Sequence, residues 1–495
     1  MTAMKLCVLY SSYEYSDSPT KDYDPLRGIK PYLTDHDVEM ADIHKATAVQ
    51  QVRALIQQGF DLFINLCDGS FDSDCAGIEV VQTLENFNAP FTGAASDFYD
   101  PTREDMKRVA RSFGIDTPLH RFVKTEADIR EAGQNLRFPL IVKHPNSYAS
   151  IGMTKSSRVE TPIELHVEAN RIIKEFGEAL IEEFIEGREF TVLVAENSAD
   201  PSNPVVFPSV EFSFPEGESF KHFDLKWASF QDMNCFPVDN PELDNRLRTI
   251  SSQMFTGLNG SGYGRCDIRM NADGELFMLE INPNCGVFYS PEDAGSADFI
   301  LLNYPDGHRE FLRLLQEAAW KRCQNRIKNW KIKFYPRKAY GMYATRDILP
   351  GELIEAFEEQ EHVLVSLSYA EKHWDSQNLR WLRQYAYPIT DEIWVMWSKN
   401  PRDWKPINHS CNPNAWLENL NLVARRFIGS GEQITLDYAT FCHATMEEFE
   451  CECGEAECRH HITGNDATLP FMLRYEGHVS DYVKTRLTRM SSKLT

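Results

Sequence analysis

Residues 262–284 read GYGRCDIRMNADGELFMLEINPN, and the organisation of the first two-thirds of the chain follows from them. DIRM (267–270) and ELFMLEIN (275–282) alternate or run apolar as strands do, and Asn271-Ala-Asp-Gly274 between them predicts a hairpin turn. A side-chain period of two places Glu280 and Asn282 on one face of their strand, with Asp267 on the partner strand. Two carboxylates and an amide converging across a hairpin are hard oxygen ligands, suited to Mg2+ bridging nucleotide phosphates.

A phosphate-handling site also needs cations and a backbone cradle, and both lie upstream. FPLIVKHP (138–145) reads as a strand presenting Lys143 at its end, and the loop Asn146–Gly152, through Ser150, offers backbone N–H groups. ALIEEFIEG and REFTVLVA read as strands flanking a turn at Gly187. Their Glu182 and Glu189 are placed to hold an adenine edge and a ribose hydroxyl.

Further out, MKLCVLY (4–10) and FDLFINLCDG (60–69) read as buried strands, and VQQVRALIQQG and IEVVQTLENFN as amphipathic helices; APFTG (89–93) leads to a further short strand. Alternation at this spacing predicts a parallel α/β lobe. A helix from Arg103 is ended by Gly114, with Pro118 just beyond, and residues 311–330 read as another helix.

At 495 residues the chain has room for roughly two to four domains. A net charge of −23 disfavours binding to a phosphate backbone, and no apolar run approaches the roughly 18 residues needed to span a bilayer. The opening MTAMKLCVLY lacks a signal peptide's layout, and most of the twelve cysteines are scattered singly among apolar segments. The expectation is a cytoplasmic protein with reduced thiols.

The character changes beyond about residue 330. RKAYGMYATRDILPGELIEAF (337–357) predicts a pair of short strands around Gly341 with a turn at Pro350-Gly351. Trp374, Trp381, Trp394, Trp397 and Trp404 mark an aromatic region suited to a core or to an amphipathic channel. NHSCNPN (408–414) follows, then a strand pair ending GEQITLDYA, then Cys451-Glu-Cys453-Gly-Glu-Ala-Glu-Cys458. Three thiolates fall one short of a tetrahedral Zn2+ shell; Cys411 is the natural fourth donor, with His460 and His461 as alternatives.

FINLCDGSFDSDCAGIEVVQTLENFNAPFTG, PLIVKHPNSYASIGM, IEEFIEGREFTV and GRCDIRMNADGELFMLEINPN together resemble an ATP-grasp enzyme of the D-alanine–D-alanine ligase type, over about residues 4–315. The resemblance implies that ATP phosphorylates a carboxylate and that an amine attacks the acyl phosphate. It assigns Arg103, Lys143, Ser150, Gly152, Glu182 and Glu189 to ATP, and Asp267, Glu280 and Asn282 to Mg2+. Arg265 and Lys226 would stabilise the transferring phosphoryl group, and Glu14 would meet the first substrate's amine. Departures from the family pattern are Thr102-Arg103 in place of DK, Ala149 and Trp227 in place of a Ser–Tyr pair, and Asn284-Cys-Gly286 in place of SPG. The substrate half is therefore rebuilt, and D-alanine is not the expected substrate.

AYGMYATRDILPGELI, NHSCNPN and GEQITLDY, with the cysteine cluster, resemble a SET-domain lysine methyltransferase carrying a post-SET zinc knuckle, over about residues 331–462. That resemblance implies S-adenosylmethionine as methyl donor and a lysine-type amine as acceptor. Asn408, His409 and the backbone near Gly341 would contact the cofactor, and Tyr438 would be the catalytic tyrosine. Ala339 stands where the family's first glycine is usual.

The expected fold is α/β (ATP-grasp) plus a mainly-β SET domain with a small zinc-binding post-SET segment. The domain map is 1–320, 331–450, 451–462 for the knuckle, and 463–495 as a C-terminal tail. The expected function is a carboxylate–amine ligase fused to an N-methyltransferase acting on a small lysine-containing molecule. The alternative is a protein-lysine methyltransferase whose ligase-like lobe binds a partner or nucleotide. Expected cofactors are ATP, Mg2+, S-adenosylmethionine and Zn2+. Expected partners are amino-acid or peptide substrates, a lysine-bearing protein in the alternative reading, and a second copy of the chain as candidate assembly. Neither nucleic acid nor membrane is expected.

Overall fold

The computed structural model describes residues 3–70, 73–146, 150–227, 233–326, 328–335, 339–357, 363–396 and 405–491. Two compact units result, Met1–Arg326 and Ile327–Thr495. Among the described residues no helix is long and apolar enough to cross a membrane.

The first unit begins with β1 (Lys5–Ser11), β2 (Asp37–Ile43), α1 (Ala48–Gln57), β3 (Leu62–Asn65) and α2 (Ile78–Asn86). The three strands form the expected parallel sheet in the order β2-β1-β3. In α1, Ala48, Val52 and Leu55 are buried at helical spacing, so one stripe faces the core. β2 escaped the sequence reading because DVEMADI is an edge strand with charges along it, which edge strands tolerate. APFTG forms no strand; it supplies a single bridge, Phe91 to Phe63.

α3 (Arg103–Ser112) is capped by Thr102, whose side chain accepts from Asp105 N at 3.1 Å, and it stops before Gly114. A four-stranded antiparallel sheet follows, in the order β4 (His120–Val123), β7 (Ala179–Glu183), β5 (Leu140–Lys143), β6 (Arg158–Val159). α4 (Glu126–Asn135) and α5 (Pro162–Phe176) share an apolar core with it. Gly187 then carries the chain into a second sheet. That sheet runs β11 (Asn234–Pro237), β10 (Val210–Ser213), β8 (Arg188–Ala195), β12 (Tyr263–Met270), β13 (Leu276–Pro283), with β9 (Val205–Val206) on β8. β8 is buried at every residue after Arg188, as its central place demands. α6 (Phe223–Trp227), α7 (Pro241–Gly257), α8 (Ser296–Leu302) and α9 (Gly307–Arg326) complete the unit. α9 ends short of the expected Trp330, because Trp330 opens a strand of the second unit and is buried there.

In the second unit, β14 (Trp330–Tyr335) pairs with β15 (Ala339–Ala344), so Gly341 lies inside a strand rather than between two. β16 (Leu353–Glu355) pairs elsewhere, with β22 (Asn421–Ala424), which also pairs with β21 (Ala415–Glu418). β17 (Val363–Ser366), β19 (Ile393–Met396) and β18 (Tyr387–Pro388) form another small sheet, accompanied by α10 (Leu367–His373) and α11 (Ser376–Tyr385). Short β20 (Asn408–His409) and β23 (Thr435–Leu436) pair in parallel, and β24 (Phe449–Glu450) pairs with β25 (His461–Ile462). The segment expected as a tail is packed: Met472, Tyr475, Val479 and Val483, the last in α12 (Asp481–Ser491), form a core with Ala439.

Gly187 has φ +134°, and a Cβ there would run into the carbonyl of Met270. Gly187→Ala should therefore cost about 2–3 kcal/mol or more. A lowered chemical-unfolding midpoint for the first unit, with the second unit's transition unmoved, is the expected result.

Candidate functional sites

Antiparallel register sets Asp267 directly opposite Glu280, just before a bulge in the hairpin. Asn282 Nδ2 donates to Asp267 Oδ2 at 3.3 Å and to Glu280 Oε1 at 3.2 Å. The predicted triad is thus one contiguous cluster. Arg265 forks onto Asp267 through Nε at 3.2 Å and NH2 at 3.0 Å, and Arg103 reaches Glu280 at 2.5 Å. Burial opposes ionisation of Asp267, but the Arg265 guanidinium and neighbouring lysines hold its carboxyl at about 2. Glu280 is held low as well, burial and Asp267 opposing and Arg103 prevailing. Two ionised carboxylates and an amide match the hard-oxygen donor set that Mg2+ takes.

Facing the hairpin, the end of β5 and the middle of β7 bring Lys143 onto Glu182, and α3 brings Lys107 onto the same carboxylate. Glu182 is only 1% exposed. Burial would raise its pKa, yet the two lysines and Arg103 keep it well below the usual carboxylate range. Glu189 is held by Lys221 at 2.9 Å and Arg269 at 3.3 Å. Lys226, on α6, is pushed down to about 8, first by burial and then by Arg265, with Asp267 and Glu280 pulling the other way. A pocket of about 90 Å³ is lined by Arg103, Lys143, Ser150, Glu182, Glu189, Lys226, Arg265, Asp267 and Glu280 together. Its apolar wall is Ile141, Phe184 and Phe220 with Met153, a slot suited to a flat ring.

Ser150 donates to the Lys221 carbonyl at 2.9 Å, and the Gly152 carbonyl accepts from Arg171 at 2.6 Å, so the loop is anchored from both sides. Gly152 itself does not line the pocket. Glu14 is exposed on the loop after β1, 3.6 Å from His44, and lies outside the pocket lining. Ala149 falls outside the described residues. Lys221 was missed by the sequence reading; its only signal was a second lysine in FKHFDLKW.

In the second unit, the parallel pairing of β20 with β23 joins the NHSCNPN and GEQITLDY motifs, placing Asn408 beside Thr435 and His409 beside Leu436. Asn408 Nδ2 donates to the Tyr340 carbonyl at 3.0 Å. A Cβ on Gly341 would meet Gln433 Nε2 at 2.5 Å and Asn408 Nδ2 at 3.0 Å, so a side chain there would push these amides away from the strand. Tyr438 N–H donates to His409 Nδ1 at 3.2 Å, which leaves the proton on Nε2, 3.4 Å from Cys411 Sγ. Burial holds the imidazole down at about 4, with Asp437 pulling the other way.

Tyr438 donates its hydroxyl to the Ile407 carbonyl at 2.8 Å, and burial raises its pKa. It faces a cavity of about 1130 Å³ whose walls include Asn408, His409, Tyr385, Tyr387, Trp394 and Phe441. Among the described tryptophans only Trp394 lines that cavity; Trp381 is exposed and Trp374 packs against a neighbouring core. Trp397 and Trp404 lie outside the described residues. The aromatic part of the cavity wall is therefore chiefly tyrosine and phenylalanine, set among polar, acidic and aliphatic residues.

Ligand atoms of Cys411, Cys451, Cys453 and Cys458 lie within 4.8 Å of one another, and the Cys411 and Cys451 sulfurs are 3.9 Å apart. Zn–S bonds of about 2.3 Å in a tetrahedron put sulfurs about 3.8 Å apart, so four thiolates fit Zn2+. Backbone N–H groups overcome burial to bring Cys453 down to about 7. His461 is instead occupied by Glu448 and Glu450, at 3.1 and 3.0 Å.

Residues 111–290 match the family model described as D-ala D-ala ligase C-terminus, and residues 339–439 match that of the SET domain. Curated relatives include the D-alanine–D-alanine ligase of Ectopseudomonas mendocina, 30% identical over 222 residues, covering 43% of this chain and 63% of the relative. That of Bordetella avium is 26% identical over 247 residues, covering 49% of this chain and 74% of the relative. The chain thus spans less than two-thirds of the length of the first of these. A solved D-alanine–D-alanine ligase from Bacillus anthracis, complexed with ATP, superposes with TM-score 0.46 at 17% identity, covering 65% of this chain and 99% of that one.

Two predictions follow from these centres. Glu280→Gln should lower ATP turnover by at least about a hundredfold, with methyl transfer unchanged; isotopic ADP and methyl assays on the same preparation read both. One zinc per chain is expected by elemental analysis, and Cys453→Ser should abolish both the zinc and any methyl transfer, because the free energy of metal binding would order the segment.

Proposed function

We propose that this chain, in which a region of the D-alanine–D-alanine ligase type is fused to a SET domain, is a bifunctional enzyme. The first unit joins a carboxylate to an amine at the expense of ATP, and the second N-methylates a lysine-type amine. The reading of the ligase half is carried by one observation: the opposed Asp267 and Glu280, bridged by Asn282, share a pocket with Arg103, Lys143, Lys226 and Arg265.

Phosphoryl transfer from ATP to a carboxylate spreads negative charge over the transferring oxygens, so catalysis is positioning plus fixed positive charge. Lys143 and Arg103 hold phosphate oxygens, and Arg265 and Lys226 stabilise the charge that develops on the acyl phosphate. Asp267, Glu280 and Asn282 would hold Mg2+, which would supply positive charge to the phosphates. Glu182 and Glu189, at the edge of the Ile141–Phe184–Phe220 slot, orient the nucleoside.

In the methylating half, S-adenosylmethionine supplies the methyl group. Asn408, His409 and the backbone at Gly341 would hold it, and the aromatic part of the cavity wall would desolvate the acceptor amine so that its neutral form is reached near neutral pH. The buried Tyr438 hydroxyl, anchored on the Ile407 carbonyl, orients the reacting amine in line. The same rings hold methylated ammonium products by cation–π attraction. Fusion of the two units favours one substrate class for both, an amino acid or small peptide bearing a lysine-type amine, handled in the cytoplasm.

A phosphate-release screen over amino-acid pairs, run beside methyl transfer to the same compounds and to basic protein tails, tests this. Lysine or a lysine-containing dipeptide should stimulate phosphate release by about tenfold or more over ATP alone. Tyr438→Phe should stop methylation and leave phosphate release intact. Methylation of a protein tail with silence across every amino-acid pair would instead favour a protein-lysine methyltransferase with a binding lobe.

A further inference from the structure

Asp437, immediately before Tyr438, is fully buried and surrounded by donors. Arg459 forks onto it, NH1 to Oδ2 at 2.7 Å and NH2 to Oδ1 at 2.8 Å. Tyr475 donates its hydroxyl to Oδ2 at 2.6 Å, and Ala439 N–H donates to Oδ1 at 3.0 Å, closing the turn that carries Tyr438. Arg459 is the residue after Cys458, and its own N–H donates to Cys411 Sγ at 3.3 Å. The Arg459 backbone therefore belongs to the cysteine cluster while its guanidinium belongs to the turn of Tyr438. Asp466 takes its remaining edge at 2.9 Å, and the Phe471 ring lies 4.2 Å beneath it, so the guanidinium is fixed from the C-terminal segment too.

We propose that the Asp437–Arg459 pair is a coupling element through which the cysteine knuckle positions Tyr438, with Tyr475 of the C-terminal segment as its second support. The inference deepens the methyltransferase reading and rests on it for the role of Tyr438. Arg459 and Asp437 are positioning residues: they act on Tyr438 through the backbone, not on the amine. A bidentate charge-assisted pair transmits orientation as well as energy, because its two bonds fix a plane. Binding linkage is reciprocal, so the pair that lets zinc order the Tyr438 turn must also let that turn strengthen zinc retention.

Arg459→Lys keeps the charge and loses the fork. Zinc transfer from this variant to a chromogenic chelator should be about tenfold faster than from wild type. Hydrogen exchange at the Tyr438 amide, which donates to His409 Nδ1 at 3.2 Å, should accelerate in parallel. Amides of the β21–β22 pair should keep their protection, and that separates positioning from general loosening. Tyr475→Phe removes one hydrogen bond and should shift both readouts the same way to a smaller degree, which keeps the test open if Arg459→Lys fails to fold. Removing zinc from wild type should expose the Tyr438 amide alike. Faster zinc loss with an unchanged Tyr438 amide, no change in either, loss of protection spread across β21–β22, or a wild-type chain that takes up no zinc would each overturn the proposal. None of these readouts needs a methyl donor, so silence in methylation assays would refute the proposed activity and leave the coupling standing.

Discussion

Asp267 and Glu280 are held face to face on adjacent strands, and like charges in that position repel unless something neutralises them. Both are largely buried, so the repulsion is not screened by water. The compensation comes from near and far in the chain: Arg265 two residues away on the same strand, Arg103 at the start of α3, Lys226 on α6. Satisfying one local conflict thus recruits helices and a second sheet to a single point. Removing any of these cations would leave a buried carboxylate uncompensated, a costlier change than the pair itself is worth in stability. A divalent cation answers the same conflict, which is why a conflict of this kind is compatible with a folded chain and useful to a phosphate-binding one.

Glu182 shows the same logic with opposite emphasis. One almost fully buried carboxylate holds Lys107 and Lys143, and these cations keep it ionised where burial alone would neutralise it. The first unit therefore stores its electrostatics as alternating signs between two sheets. The second unit relies on burial of a different kind: a large cavity walled in part by aromatic rings, with Asn408, His409 and Tyr438 each anchored on a backbone partner. Fixed partners make the groups rigid, and rigidity is what alignment of two reacting molecules requires.

Much of this was legible in the sequence because the relevant signals are local. Period-two patterning and an Asn-Ala-Asp-Gly turn specify the hairpin, but it takes the bulge after Asp267 to set that residue opposite Glu280 instead of Leu279, and no local pattern announced the bulge. Close cysteine spacing likewise announced a thiolate cluster, and the choice of Cys411 over His460 or His461 needed only a fourth thiol within reach. Signals failed where the deciding partner was remote. β2 is charged because it is an edge, Gly341 sits within a strand because β14 pairs with it, and residues 463–491 are packed because Asp437 gives them something to pack on.

By itself, the sequence determined the types of element, the two motif sets and the chemistry each could hold, since these depend on residue type and short spacing. Tertiary structure alone decided that Lys221 joins the pocket of the first unit and Glu14 does not line it, that tyrosines outnumber tryptophans in the wall of the second unit's cavity, and that Arg459 binds Asp437. Each of those outcomes is a contact between segments far apart in the chain or facing different ways on it. Such contacts are chosen by where buried charge and apolar area can be satisfied at once, and no local spacing encodes that choice.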